Sequence, residues 1–413
     1  MNNQLIRRFI LDNGITVLVS ENQAADLIAA RIFLKNAGSK WESREKAGLS
    51  HLIASVITKG TETMSSVEIA DRVESTGASL GADASTDYFL VSIKTVTADF
   101  AEMLKLAGEI IRHPTFPEAE VELEKYLTGQ NIRSQQEQPF NIAFNQLREM
   151  LYRSHPYGLS VLGTEETVSN LTHLDLQNYH RTHFRPDNLV VSISGRITAE
   201  KAVSLIEEVF GDWQIPRGEI IAPPLPPLFS EPQRKIIPQN SQQAILMLGY
   251  LAAAVQHQDY PVLKLINTYL GNGLSSRLFV ELREKRGLAY DVSAFYPTRL
   301  DDSHFVAYIG TAPENAEMAL EGLRTEIDRL CHTQLSEAEL QAAKNKLLGQ
   351  YALGKQTNAE IAQIYGWYES LGLGIEFDHY FQEQVRQVTV TMVQNVAQSF
   401  FGEPYISGVG CSL

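Results

Sequence analysis

The chain has 413 residues, 44% of them hydrophobic and 20% charged, with a formal net charge of −14. No Lys/Arg cluster offers phosphate the basic surface it needs, so nucleic-acid binding is excluded. The length exceeds one ordinary core and predicts two domains or a duplicated unit. No apolar run approaches the roughly 18 residues of a membrane span, and no membrane association is expected.

Along the chain, the apolar stretch after Arg7-Arg8 is cut by Asp12-Asn13-Gly14. That leaves no convincing export signal, and a cytoplasmic location is expected. Cys331 and Cys411 have neither metal spacing nor a disulfide framework, which agrees with a reducing compartment. The run Leu11 to Val19 reads as a hairpin, with Asn13-Gly14 in a type I′ turn. A β-rich stretch from Leu27 to Leu34 ends at Gly38, and Gly48 to Lys59 reads as a helix. Ser65 and Glu68 have the spacing of a capping box that starts the next helix. Alternation at Phe89, Val91 and Ile93 predicts a strand with one buried face. Long amphipathic helices are expected near 99–112 and 117–135.

The proline cluster from Pro223 to Pro227 cannot continue a helix or a central strand. It marks a linker over 218–232, between halves at 1–217 and 233–413. The halves echo each other: Glu118-Ala119-Glu120-Val121 matches Glu337-Ala338-Glu339-Leu340, and Leu127-Thr128-Gly129-Gln130 matches Leu347-Leu348-Gly349-Gln350. The offsets are 219 (337 − 118) and 220 (347 − 127). The expected class is α+β: two similar halves, each an antiparallel sheet with helices packed on one face.

The segment Gly48-Leu49-Ser50-His51-Leu52-Ile53-Ala54-Ser55 through Lys59-Gly60-Thr61 resembles the inverted-motif zinc peptidases of the pitrilysin/insulysin family, in the processing-peptidase branch. Further resemblance lies in His155-Pro156-Tyr157-Gly158, in Phe184-Arg185-Pro186-Asp187-Asn188-Leu189, and in the second-half runs Gly273 to Phe279 and Arg283 to Tyr290. In that family the first segment carries H-x-x-E-H, two histidines one helical turn apart and a glutamate that activates water, and a downstream helix adds a third ligand. Here His51 keeps the first ligand position, but Ala54 replaces the general base and Ser55 the second histidine. Glu124 matches a retained acidic position, whereas the third-ligand position, seven residues on, is Asn131. One imidazole with a hydroxyl and an amide falls short of the three ligands catalytic zinc needs. No metal is therefore expected in this chain, and His51 reads as a partly buried histidine satisfied by its neighbours. His180 and His183, three apart on a helix, read as surface residues, and His155 as structural.

The resemblance also implies that Arg283 and Tyr290 are the pair that, in active members, holds a substrate carbonyl and donates to the developing oxyanion. Gly287 between them fits a helix C′ cap. This branch pairs a zinc-motif subunit with one carrying the Arg/Tyr pair, and the two together enclose a chamber. The chain resembles the second kind. The implied function is a non-zinc subunit of a heterodimeric metallopeptidase acting on peptides or unfolded segments, with Arg283 and Tyr290 supplied in trans to bind substrate and stabilise the transition state. Zinc is then expected in a partner of similar length, and a homodimer in isolation is left open. The competing reading is a structural or peptide-binding homologue with no catalytic role, which has no need of the Arg/Tyr pair. An active homodimer with an unrecognised site is a third.

Overall fold

The computed structural model describes residues 6–239 and 241–410. The chain forms two compact units that exchange segments. The first comprises residues 1–132, 160–224 and 353–377, and the second 133–159, 225–352 and 378–413. The units therefore differ from the linear halves expected from the proline cluster. The chain changes unit at Pro224/Leu225, but one helix from each half lies in the other unit: Pro139–Tyr152 joins the second and Asn358–Ser370 the first. The exchanged helices begin 219 residues apart (358 − 139), the offset of the sequence echo.

The first unit is built on β1 (Ile6–Ile10), β2 (Thr16–Glu21), β3 (Leu27–Lys35), β4 (Ser79–Ala84), β5 (Tyr88–Val96) and β6 (Leu189–Gly195), ordered β1-β2-β6-β3-β5-β4. The second holds β7 (Arg234–Ile237), β8 (Ala244–Ala252), β9 (Asp291–Phe295), β10 (Ser303–Thr311) and β11 (Tyr405–Val409), ordered β7-β11-β8-β10-β9. With β1 set aside, the two orders are the same, so the duplication extends to topology. Each sheet is antiparallel except for one parallel pair, β2 with β6 and β7 with β11. The antiparallel sheets expected from sequence thus each carry one parallel pair, because the last strand of each half returns by a long connection to lie beside an early strand, β6 beside β2 and β11 beside β7.

Helices cover both faces of each sheet, not one. In the first unit Ala30, Ile32, Leu34, Val91 and Ile193 share a core with Leu52 and Ile53 of the helix Leu49–Val56. The alternate residues Leu18, Phe33 and Val190 meet Tyr365 and Trp367 of the exchanged helix. A Cβ added at Gly366 would lie 2.4 Å from the Phe33 ring, so that helix depends on glycine for its close approach. In the second unit Ile245, Met247 and Val306 pack against Ala143 and Leu147 of the other exchanged helix. On the opposite face, Tyr250 and Phe305 meet Phe401 at ring separations of 5.1 and 4.9 Å. Strands buried on both faces read as unbroken apolar runs, such as Leu189-Val190-Val191 and Ala244 to Leu248.

The Leu11–Val19 hairpin forms with Ile10 opposite Thr16, but its turn is not type I′. Only Gly14 has positive φ (84°), Gly14 N–H donates to Leu11 O, and Leu11 N–H donates to Ile15 O. This is a type I turn closed by a left-handed glycine bulge, since Asn13 stays right-handed and donates its amide to Phe210 O at 2.7 Å. Ser65 and Glu68 form the expected capping box on the helix Ser66–Ser75. Among the described residues no helix is long and apolar enough to cross a membrane.

Candidate functional site

His51, Ala54 and Ser55 lie on the helix Leu49–Val56 of the first unit. The chain enters it through Gly48, whose φ of 98° favours glycine, and whose added Cβ would meet Leu162 O at 2.7 Å. The start of the helix is held by a residue the sequence reading passed over. Glu42 is 7% exposed; its carboxyl oxygens accept from Gly48 N–H at 2.8 Å and Ser50 N–H at 2.6 Å, and in a short contact from the Ser50 hydroxyl. The two amides are orphan donors of the kind every helix N-terminus leaves. Burial pushes the Glu42 carboxyl up to about 7, against the pull of these hydrogen bonds.

On this helix the metal positions do not assemble a site. Ala54 is packed in the core at 8% exposure. The Ser55 hydroxyl is turned back into its own helix, donating to His51 O at 3.1 Å. His51 is half-buried, but its imidazole makes no hydrogen bond to a described residue, contrary to the expectation that neighbours satisfy it. Burial lowers its pKa, and the charges of Asp83 and Glu124 work the other way. Asp83, on β4, was not foreseen, because the Gly/Ala/Asp-rich segment Ser79–Ala84 has little strand propensity.

Glu124 lies on the helix Glu118–Gln136 and pairs with Lys59 Nζ at 3.5 Å, so a cation already occupies its charge. Asn131, on the same helix, is exposed. Among the described residues no group of three or more His, Cys, Asp or Glu side chains is placed to hold a metal ion. The donors at 51, 55 and 131 are one neutral nitrogen, one committed hydroxyl and one amide, a set that does not fit zinc.

His180 and His183 are not the surface pair expected: His183 is buried and His180 half-buried. The His180 ring bonds Ile111 O through Nε2 at 2.7 Å and stacks 4.5 Å from Phe184; His183 is 7% exposed, 4.2 Å from Tyr179. Burial brings both down to about 4, so both are neutral at pH 7. Their helix packs an aromatic face inward, which the one-residue-type reading of paired histidines missed. His155 is structural as expected: it is buried, and its Nδ1 accepts from Tyr157 N–H at 3.1 Å.

Arg283 and Tyr290 belong to the second unit. Arg283 lies in a π-helical stretch, Phe279–Lys285, pinned from below by the fully buried Leu278 and Leu282. Arg277 fixes the stretch from the side, donating from Nε to Glu326 at 2.7 Å and pairing with Glu281 at 2.9 Å. The wide turn leaves Arg283 exposed, its guanidinium 5.1 Å from the centroid of the Phe279 ring, with no carboxylate partner among the described residues. Gly287 (φ 63°) ends the stretch: its N–H donates to Arg283 O at 3.1 Å and Leu288 N–H to Leu282 O at 2.8 Å. The chain then turns into β9. Tyr290 N–H donates to Gly310 O at 2.8 Å, and Leu288 O accepts from the Thr311 hydroxyl at 2.6 Å. The backbone at Tyr290 is thus held on both sides, while its side chain is 59% exposed and its hydroxyl has no partner among the described residues.

Two family models match the chain. One, described as "Insulinase (Peptidase family M16)", covers residues 16–165; the other, "Peptidase M16 inactive domain", covers 170–347. Relatives include an uncharacterized zinc protease, YmxG, of Bacillus subtilis, 27% identical over 97% of both chains. An uncharacterized zinc protease of Rickettsia felis is 28% identical over 82% of this chain and 81% of its own. Among solved structures, a "peptidase M16 inactive domain" from Pseudomonas fluorescens superposes with a TM-score of 0.89 at 25% identity, covering 100% of this chain and 99% of that one. A protease from Helicobacter pylori reaches 0.93 at 21% identity, over 99% and 100%.

Proposed function

As the chain belongs to peptidase family M16, we propose that it is the non-zinc subunit of a heterodimeric metallopeptidase that cleaves peptides or unfolded segments. One observation carries this reading: among the described residues the metal positions hold no ligand set, while Arg283 and Tyr290 stand exposed on a firmly anchored backbone, Arg283 with no carboxylate partner and the Tyr290 hydroxyl with no hydrogen-bond partner. A side chain fixed at its base with free donors is preorganised for charge that develops on a substrate. Arg283 is assigned to a substrate main-chain carbonyl. Tyr290 is assigned to the oxyanion, as an O–H donor. The zinc and the general base belong to the partner, a chain of similar length with an intact H-x-x-E-H motif.

The test is reconstitution. The purified chain alone should not hydrolyse an unfolded polypeptide; mixed with the zinc-motif subunit of its own source, it should restore hydrolysis. Tyr290→Phe should then lower kcat by about 10²–10³, the usual effect of removing one oxyanion donor. Arg283→Ala should raise KM. Full activity of the reconstituted Tyr290→Phe enzyme would leave the scaffolding reading in its place.

A further inference from the structure

On the face of the first sheet opposite the His51 helix, the alternation of β3 that turns Ala30 and Ile32 toward that helix turns Arg31 and Phe33 the other way. The exchanged helix Asn358–Ser370 packs across this face. A cavity of about 430 Å³ opens beside Arg31, walled by Tyr88, Gly354, Ile364 and Trp367. This is within the usual size of a small-molecule site, roughly 300–1,000 Å³. Its lining is predominantly apolar, and Arg31 is its cation.

Arg31 donates from Nη1 only to main-chain oxygens, Ala30 O at 3.1 Å and Ile93 O at 3.3 Å. No carboxylate among the described residues pairs with it. Burial alone moves its pKa, and it moves it down. Glu360 also borders the cavity, but it is engaged elsewhere: its Oε2 accepts from Gln356 N–H at 3.1 Å, Thr357 N–H at 2.9 Å and the Thr357 hydroxyl at 3.0 Å. A partly buried guanidinium without a counter-ion is costly, and an anion supplied from outside relieves it.

We propose that this cavity binds a small carboxylate with an aromatic or branched apolar body. The guanidinium fork matches the two oxygens of a carboxylate, and Trp367, Tyr88 and Ile364 offer the body a flat apolar wall. A phosphate ester would bring a second charge, and the lining has no second cation for it. The site lies across the sheet from His51 and uses none of the peptidase positions.

The test uses the full chain and 3-phenylpropionate as probe, with 3-phenylpropionamide as its uncharged counterpart. Isothermal titration gives affinities. The chain has three tryptophans, so the Trp41→Phe/Trp213→Phe double variant reports emission from Trp367 alone. The acid should bind saturably, shift Trp367 emission, and bind about 10- to 100-fold more tightly than the amide, as a charge-assisted contact implies. Arg31→Met should abolish the preference for the acid. Ala359→Trp, which fills the cavity from its helix wall and leaves Arg31 in place, should block both compounds and serves if Arg31→Met fails to fold. Absence of saturable binding, equal affinity for acid and amide, a preference that survives Arg31→Met, or binding that survives Ala359→Trp overturns the proposal.

Discussion

Replacing Glu42 removes the acceptor on which the start of the His51 helix depends. Glu42→Ala orphans three buried donors: the Gly48 and Ser50 amides and the Ser50 hydroxyl. At about 1–3 kcal/mol for each unsatisfied group, with partial relief from local relaxation and entering water, the loss is on the order of 3–6 kcal/mol. Glu42→Gln keeps one oxygen for the Ser50 groups but sets an amide NH₂ against Gly48 N–H, losing one acceptor and about 1–3 kcal/mol. The two variants also differ from the native chain in pH dependence. The Glu42 carboxyl is raised to about 7 by burial, whereas unfolded glutamate ionises near 4.5. Between these values the folded chain binds the extra proton. Its stability is therefore greatest below pH 4.5 on this account and falls as pH rises through 7, by about 3 kcal/mol in all. Glutamine carries no such dependence, so the gap between native and Glu42→Gln should narrow from pH 5 to pH 8. Because a chain of two units does not unfold in one step, the measurement is urea-dependent hydrogen exchange of the amides of residues 49–57. Parallel pH profiles for native and Glu42→Gln, or a cost below about 1 kcal/mol for Glu42→Ala, would refute this account of the helix start.

Three further outcomes follow from the packing and the site. His180 and His183, both held at about 4 against 6.5 unfolded, leave the unfolded chain with more bound protons between those values. Stability should fall on acidification from pH 6.5 to 4, and His183→Phe should flatten that limb in a thermal-melt series; an unchanged limb counts against buried neutral histidines. Gly366→Ala gains about 1 kcal/mol of helix propensity but puts a methyl 2.4 Å from the Phe33 ring, so it should be destabilising by about 1–3 kcal/mol, read as faster proteolysis of the 358–370 segment. A stabilised protein would mean the helix stands off the sheet. Finally, Ala54→Glu, Ser55→His and Asn131→Glu together should create tightly held zinc, measured as metal per chain after dialysis, with Lys59→Ala raising it by freeing Glu124. A triple variant that retains none would place residue 131 out of reach of the helix Leu49–Val56.

Much of this architecture is written in local chemistry. The capping box at Ser65, the alternation at Phe89, Val91 and Ile93, the glycine stop at Gly287 and the 219-residue echo are all short-range or periodic signals, and they place the elements and the duplication. The missing ligands at Ala54, Ser55 and Asn131 are equally legible, because ligand chemistry depends on residue type before geometry. Tertiary structure alone decided which unit each helix joins. An amphipathic helix records that it has an apolar face, not which sheet receives it, and so the exchange of Pro139–Tyr152 and Asn358–Ser370 is invisible in the chain. The same holds for β4: its Ser79–Ala84 sequence carries no strand signal, and only pairing with β5 makes it one and brings Asp83 toward His51. The charge partners Lys59 and Glu124, 65 residues apart (124 − 59), are likewise set by packing. Residue type alone shows that positions 54, 55 and 131 carry Ala, Ser and Asn; the fold decided that Arg283 and Tyr290 are left exposed, since exposure is a property of everything that does not cover them.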